Sequence, residues 1–123
     1  MSWELDSSRS IYGQLIERIR ERIVTGVYPP GERLPSVRDL AQEAGVNPNT
    51  MQRALTELER TGVLYSQRTS GRYVTEDGQM IGKMKEEAAR EAVRAFLEKI
   101  SALGISKDEI MKMLEENGSE HNI

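Results

Sequence analysis

The chain has 123 residues, no cysteine, one histidine and a formal net charge of -3, which leaves room for one or at most two small domains. At 37% hydrophobic and 30% charged it is too apolar to be disordered throughout, yet six aromatic residues make a lean core of Leu, Ile, Val, Ala and Met. Without cysteine there are no disulfides, thiolate nucleophiles or thiolate metal sites, and a lone His121 cannot build a Ser-His-Asp device or a multi-histidine metal centre within one chain.

No window approaches a membrane-spanning apolar stretch, and the acidic start Trp3-Glu4-Leu5-Asp6 is unlike a secretory signal, so a cytoplasmic protein with no membrane contact is expected. Tyr12, Leu15, Ile16, Ile19 and Ile23 share one helical stripe, which predicts a first helix ended by Gly26. Tyr28-Pro29-Pro30-Gly31 forms a rigid connection. Ser36 with Asp39 three residues on is an N-cap pattern, and Val37, Leu40, Ala41 and Ala44 predict a short second helix closed by Gly45. Asn47-Pro48 restarts a helix at once, with asparagine as cap and proline at the first position, and it runs from about 48 to 61 before Gly62.

Leu64-Tyr65-Ser66 and Arg72-Tyr73-Val74-Thr75 have strand composition and flank Gln67-Arg68-Thr69-Ser70-Gly71, which predicts a hairpin with arginines at its tip. From Gln79 lysine replaces arginine, and apolar residues recur every three or four positions to Leu103, predicting one long helix broken by Gly104. Ser106 and Glu109 make a capping box for a last short helix, and residues 117–123 are expected to fray. The fold class expected is therefore mainly α with a small β-hairpin: a winged helix-turn-helix over residues 1–78, followed by a C-terminal two-helix dimerisation element over 79–123.

Charge is unevenly spread: residues 1–78 hold ten arginines and no lysine, and the stretch 33–73 has six arginines against four acids. On the third helix, Asn49, Arg53, Thr56 and Arg60 share the face opposite Met51, Ala54, Leu55 and Leu58, with Thr50, Gln52 and Glu57 beside them. Asn49 can pair with adenine and Arg53 with guanine in a major groove. Ser36, Asn47 and Thr50 stand at helix starts, where hydroxyls, amides and free N–H groups hold phosphates, and Arg38 reaches a groove edge or a phosphate. Arg68 and Arg72 beside Gly71 suit a minor groove or the phosphates along it.

In the tail, Met84, Ala88, Ala92, Phe96, Ile100 and Leu103, with Ile110, Met113 and Leu114, form an apolar surface that a hairpin of two unequal helices cannot cover alone. Pairing with a second copy would cover it and present two reading heads to double-stranded DNA.

The runs Gly26-Val27-Tyr28-Pro29-Pro30-Gly31-Glu32-Arg33-Leu34-Pro35-Ser36-Val37-Arg38-Asp39-Leu40-Ala41, Gly45-Val46-Asn47-Pro48-Asn49-Thr50-Met51, Leu58-Glu59-Arg60-Thr61-Gly62 and Arg68-Thr69-Ser70-Gly71-Arg72-Tyr73-Val74 resemble the GntR family of bacterial transcription regulators. The short two-helix tail is similar to the YtrA subfamily. The resemblance implies a homodimer on an inverted repeat, usually a repressor and in this subfamily often beside ABC transporter genes. It further implies DNA contacts from Arg38, Asn47, Asn49, Thr50, Gln52 and Arg53, and from Arg68, Ser70, Gly71 and Arg72 of the wing. Pro48 and Gln52 stand where much of the wider family has arginine, and Thr69 replaces a common wing glycine, so base preference there is not carried over.

No cofactor or metal is expected, and no polar cluster in the tail marks an effector site, which leaves a small-molecule effector open. The rival reading keeps the winged helix as a protein-interaction module with only non-specific DNA affinity. An enzyme ranks last, because no paired carboxylates accompany an apolar pocket pattern.

Overall fold

The structure, a computed structural model, describes residues 3–121. The element order is α1 (Ile11–Val24), α2 (Val37–Ala44), α3 (Pro48–Arg60), β1 (Leu64–Gln67), β2 (Gly71–Val74), α4 (Gly78–Ala102) and α5 (Lys107–His121). Two compact units divide after Glu86.

Local chemistry sets the helix ends of the first unit. The Ser10 hydroxyl accepts from the Gly13 N–H at 3.2 Å to start α1, and the Ser36 hydroxyl accepts from the Asp39 N–H at 3.1 Å to start α2. Gly45 closes α2 at a φ of 71°, a left-handed conformation that glycine adopts without a Cβ penalty. Asn47 Oδ1 then accepts from the Asn49 N–H at 2.8 Å, and Pro48 opens α3. Only Val46 and the two capping residues separate the helices, as a helix-turn-helix requires.

Packing follows the apolar stripes. Leu15, Ile19 and Ile23 of α1 meet Leu40 of α2 and Met51, Leu55 and Leu58 of α3, with Leu64 and Val74 of the hairpin closing the cluster. Each such aliphatic side chain, fully buried, contributes about 1.5–3 kcal/mol. The strands are antiparallel with Leu64 opposite Val74 and Gln67 opposite Gly71, and Tyr65 stacks on its partner Tyr73 at 5.7 Å between ring centroids. A third extended segment joins them: the Leu34 N–H donates to Arg72 O and the Val74 N–H to Glu32 O, both at 2.9 Å, with Arg33 bridging Tyr73. The sequence reading has a two-stranded hairpin and no place for this segment.

Asp77 caps α4 by accepting from the Gln79 and Met80 N–H groups. The first turns of α4 pack onto the winged-helix core, with Met84 only 9% exposed and Met80 and Ile81 half-buried against it. The sequence reading puts its domain boundary at residue 78 and assigns Met84 to a self-association surface. Met84 is instead taken up inside the first unit, which therefore extends through Glu86.

In the second unit the Ser106 hydroxyl accepts from the Glu109 N–H at 3.2 Å and donates to its carboxylate at 2.9 Å, the reciprocal arrangement of a capping box. Helix α5 runs to His121 rather than fraying at 117, and the Asn117 amide donates back to Met113 O at 2.8 Å. Among the described residues of this unit no apolar side chain reaches full burial: Phe96 is 41% exposed and Leu103 69%. No helix among the described residues is long and apolar enough to cross a membrane.

Candidate nucleic-acid interface

The residues singled out in the sequence lie on three neighbouring elements of the first unit: the start of α2, α3, and the hairpin wing. At the start of α2, Ser36 and Arg38 are exposed. The hydroxyl of Ser36 accepts in its capping bond and keeps its own proton for an outside acceptor, while the first N–H groups of the helix lack intrahelical partners. That combination suits a phosphate oxygen.

Along α3, Asn49, Gln52, Arg53, Thr56 and Arg60 are exposed, Thr50 is half-exposed, and the opposite face carries Met51, Ala54, Leu55 and Leu58 fully buried. The helix is thus fixed by its apolar stripe and offers amides, a hydroxyl and guanidinium groups on the other side. Asn47 and Asn49 divide the labour at the start: the Asn47 side chain is used by the cap, while Asn49 contributes only its backbone N–H to that bond. Arg60 takes both carboxylate oxygens of Glu57, at 2.8 and 2.6 Å. That hydrogen bonding holds the Glu57 carboxyl below its ordinary pKa and raises the Arg60 guanidinium. Arg53 is placed differently, with its guanidinium carbon 4.7 Å from the ring centroid of Tyr12 on α1.

On the wing, Arg68 is exposed at the tip and the Ser70 hydroxyl bonds back to Gln67 O at 3.4 Å. Gly71 has a φ of 111°, and a Cβ there would lie 3.0 Å from Arg33 Nε, so both backbone and space demand glycine. Arg72 departs from its expected place among the outward arginines. Its Nε is paired with Glu59 near the end of α3 and its side chain is 18% exposed, so it fastens the wing to α3. Arg33 stands beside Gly71 and is exposed. The sequence reading missed its place at the wing, because only the pairing of residues 32–34 with β2 brings it there.

Behind α2 lies a cluster that also escaped the sequence reading. Arg22 of α1, 5% exposed, stacks 4.1 Å from the Trp3 ring centroid and donates to Glu43 Oε1 and Tyr28 Oη, both at 2.9 Å. Trp3 Nε1 donates to the same Glu43 oxygen at 3.1 Å. Burial works to lower the Arg22 pKa, but the bonds to Glu43 and Tyr28 outweigh it and hold the guanidinium above its ordinary value. The Arg22 hydrogen bond in turn holds the Glu43 carboxyl below the usual carboxylate range, against burial and with help from Trp3. The cluster ties the N-terminal segment, α1 and the last turn of α2 together just ahead of the helix-turn-helix turn. An open cleft of about 650 Å³ beside it is lined by Trp3, Leu5, Ile11, Val46, Asn47 and Thr50 among others.

The tail residues Ala88, Ala92, Phe96, Leu103, Met113 and Leu114 are exposed in the second unit, with Ile100 and Ile110 half-buried. Exposed Val93, Leu97 and Met111 widen the same apolar character beyond the stripe read from the sequence.

Comparison with known proteins accords with this architecture. Residues 11–74 match the bacterial regulatory proteins of the gntR family. The uncharacterized HTH-type transcriptional regulator YhcF of Bacillus subtilis is 35% identical over 112 residues, covering 91% of this chain and 93% of that protein. The HTH-type transcriptional repressor YtrA of the same organism is 44% identical over 71 residues, 58% of this chain and 55% of its own. A GntR family transcriptional regulator from Listeria monocytogenes superposes with a TM-score of 0.81 at 40% identity, covering 91% of this chain and 98% of that one. The winged helix-turn-helix followed in the chain by two helices is thus shared along almost the whole length, and the chain belongs to the GntR family of bacterial transcriptional regulators, with a YtrA-like organisation.

Proposed function

We propose that the protein is a homodimeric repressor that reads an inverted-repeat operator through α3 and the wing. The observation that carries this reading is the two-sided character of α3: one face wholly buried, the other an exposed row of Asn49, Arg53, Thr56 and Arg60. Asn49 and Arg53 have the bidentate chemistry for adenine and guanine edges, each worth about 1–3 kcal/mol of discrimination. Ser36, Arg38, Asn47, Thr50 and Gln52 flank this row, and Arg68, Ser70 and Gly71 present the wing tip to backbone or minor groove, with Arg72 holding the wing to α3.

Self-association is supported by the second unit, whose apolar side chains stay largely exposed within one chain. A two-fold pair of such units would bury Phe96, Ile100, Leu103, Met113 and Leu114 and set two recognition helices against two half-sites. Repression is the reading that the similar YtrA repressor favours. The YtrA-like resemblance extends it to an operon encoding an ABC transporter.

Selection of bound sequences from random duplex DNA tests the proposal, with sedimentation of the same preparation for its oligomeric state. An inverted repeat recovered by a dimer is expected. Leu103→Glu, at an exposed position of the second unit, should shift the protein towards monomer and weaken binding to the full repeat more than to a half-site. A monomer that enriches no motif would contradict the proposal.

A further inference from the structure

Three arginines stand on or against the outward side of α3, and the structure treats them differently. Arg60 has its donors engaged by both oxygens of Glu57, and Arg72 is paired with Glu59. Arg53 is exposed and, among the described residues, makes no hydrogen bond or ion pair; its contact is the face of Tyr12, 4.7 Å from the ring centroid. The ring itself is fixed, since Tyr12 is half-buried on α1 and packs against the hydrophobic core.

We propose that Tyr12 is a positioning residue for base recognition: it holds the Arg53 guanidinium by one face and leaves the donor edge free for a base. The inference rests on reading α3 as the recognition helix. A guanidinium is planar, with its five N–H groups in the plane, so stacking on an aromatic face occupies none of the donors that a bidentate contact uses. An arginine extended into water samples many rotamers and loses that freedom on binding; one already stacked loses less. Tyr12 therefore raises affinity without touching DNA, and it does so only through Arg53. It lies on α1, where the sequence shows it only as a member of the apolar stripe.

The test uses the full-length protein and the duplex selected above, with Tyr12→Phe, Tyr12→Leu, Arg53→Ala and the Tyr12→Leu/Arg53→Ala pair. Tyr12→Phe keeps the ring face and drops the hydroxyl. Tyr12→Leu keeps apolar bulk for the core and removes the ring. In the free protein, the Arg53 side-chain protons should show an upfield ring-current shift in wild type and Tyr12→Phe that is gone in Tyr12→Leu. On DNA, Tyr12→Phe should bind as wild type and Tyr12→Leu roughly two- to fivefold more weakly, the scale of an exposed cation–π contact. The double variant should bind no worse than Arg53→Ala alone. A loss that persists at full size in the Arg53→Ala background, or no loss from Tyr12→Leu while Arg53→Ala itself weakens binding, overturns the positioning role and leaves the recognition helix standing. No ring-current shift in wild type overturns the contact directly. Binding unchanged by Arg53→Ala removes Arg53 as a reader, and the role of Tyr12 with it.

Discussion

Replacing Arg22 by methionine separates the stabilising role of the N-terminal cluster from the DNA-reading surface. The native guanidinium is 5% exposed, bonds Glu43 and Tyr28 at 2.9 Å each, and lies 4.1 Å over Trp3. Hydrogen bonds to a charged group contribute about 1.5–3 kcal/mol, and a desolvated cation–π contact about 2 kcal/mol. Removing one partner of a buried ion pair costs about 3–5 kcal/mol when the other charge is stranded. Here the Glu43 side chain is 48% exposed and rehydrates, and methionine refills the aliphatic space of the lost stem. The net expectation is a destabilisation of about 2–3 kcal/mol, which for a unit of this size lowers Tm by roughly 8–24 °C. Thermal unfolding followed by circular dichroism at neutral pH measures it, with Glu43→Gln as the milder control because it keeps an acceptor oxygen. A change below about 0.5 kcal/mol in Arg22→Met would show that the cluster is a surface decoration, since substitutions away from structural features fall in that range.

The pH dependence of the same cluster follows from the depressed Glu43 carboxyl. A group whose folded pKa lies below its unfolded value, about 4.3 for glutamate, stabilises fully above that value and loses its contribution as pH falls through the folded one. The stability difference between wild type and Glu43→Gln should hold from pH 7 to about 5.5 and shrink as pH falls below the unfolded value of about 4.3, as read by urea unfolding; a difference that stays undiminished below that value contradicts the pairing. Two glycines should respond with opposite signs in the same assay. Gly71→Ala forces a Cβ into a φ of 111° and to 3.0 Å from Arg33 Nε, which should destabilise by about 1–2 kcal/mol. Gly82→Ala, on an exposed position of α4 with nothing within 4 Å, should stabilise by about 0.5–1 kcal/mol. On DNA, Arg53→Ala should relax the preference at one base pair per half-site by about 1–3 kcal/mol, measured by competition with singly substituted duplexes; an even loss at all positions would make Arg53 a phosphate contact instead.

What could be read from the sequence was what local chemistry decides. Ser36, Gly45, Asn47-Pro48, Gly62 and Ser106 mark helix ends within a residue or two, because caps depend on residues three or four apart. The polar row of α3 was legible for the same reason: it is the complement of an apolar stripe. Pairings between distant residues were not. Arg22 meets Glu43, Arg53 meets Tyr12, and Arg33 meets Tyr73 only after the chain has folded, and no periodicity announces them. Periodicity put Met84 on the apolar stripe of the tail, but it could not say which of two surfaces covers Met84, and the winged-helix core takes it. The reach of α5 was underestimated because Asn117, Gly118 and Ser119 are weak helix formers, a preference that tertiary and side-chain contacts readily override.

Sequence-specific recognition by two-fold related heads makes binding depend on both half-sites and on their bases. The most direct measurement is a titration of the selected inverted repeat against a scrambled duplex of equal length at several salt concentrations. Binding to the repeat at least about a thousandfold tighter than to the scrambled duplex near physiological salt is the predicted result. Equal affinity for both, vanishing together as salt rises, would leave only phosphate attraction and contradict the claim.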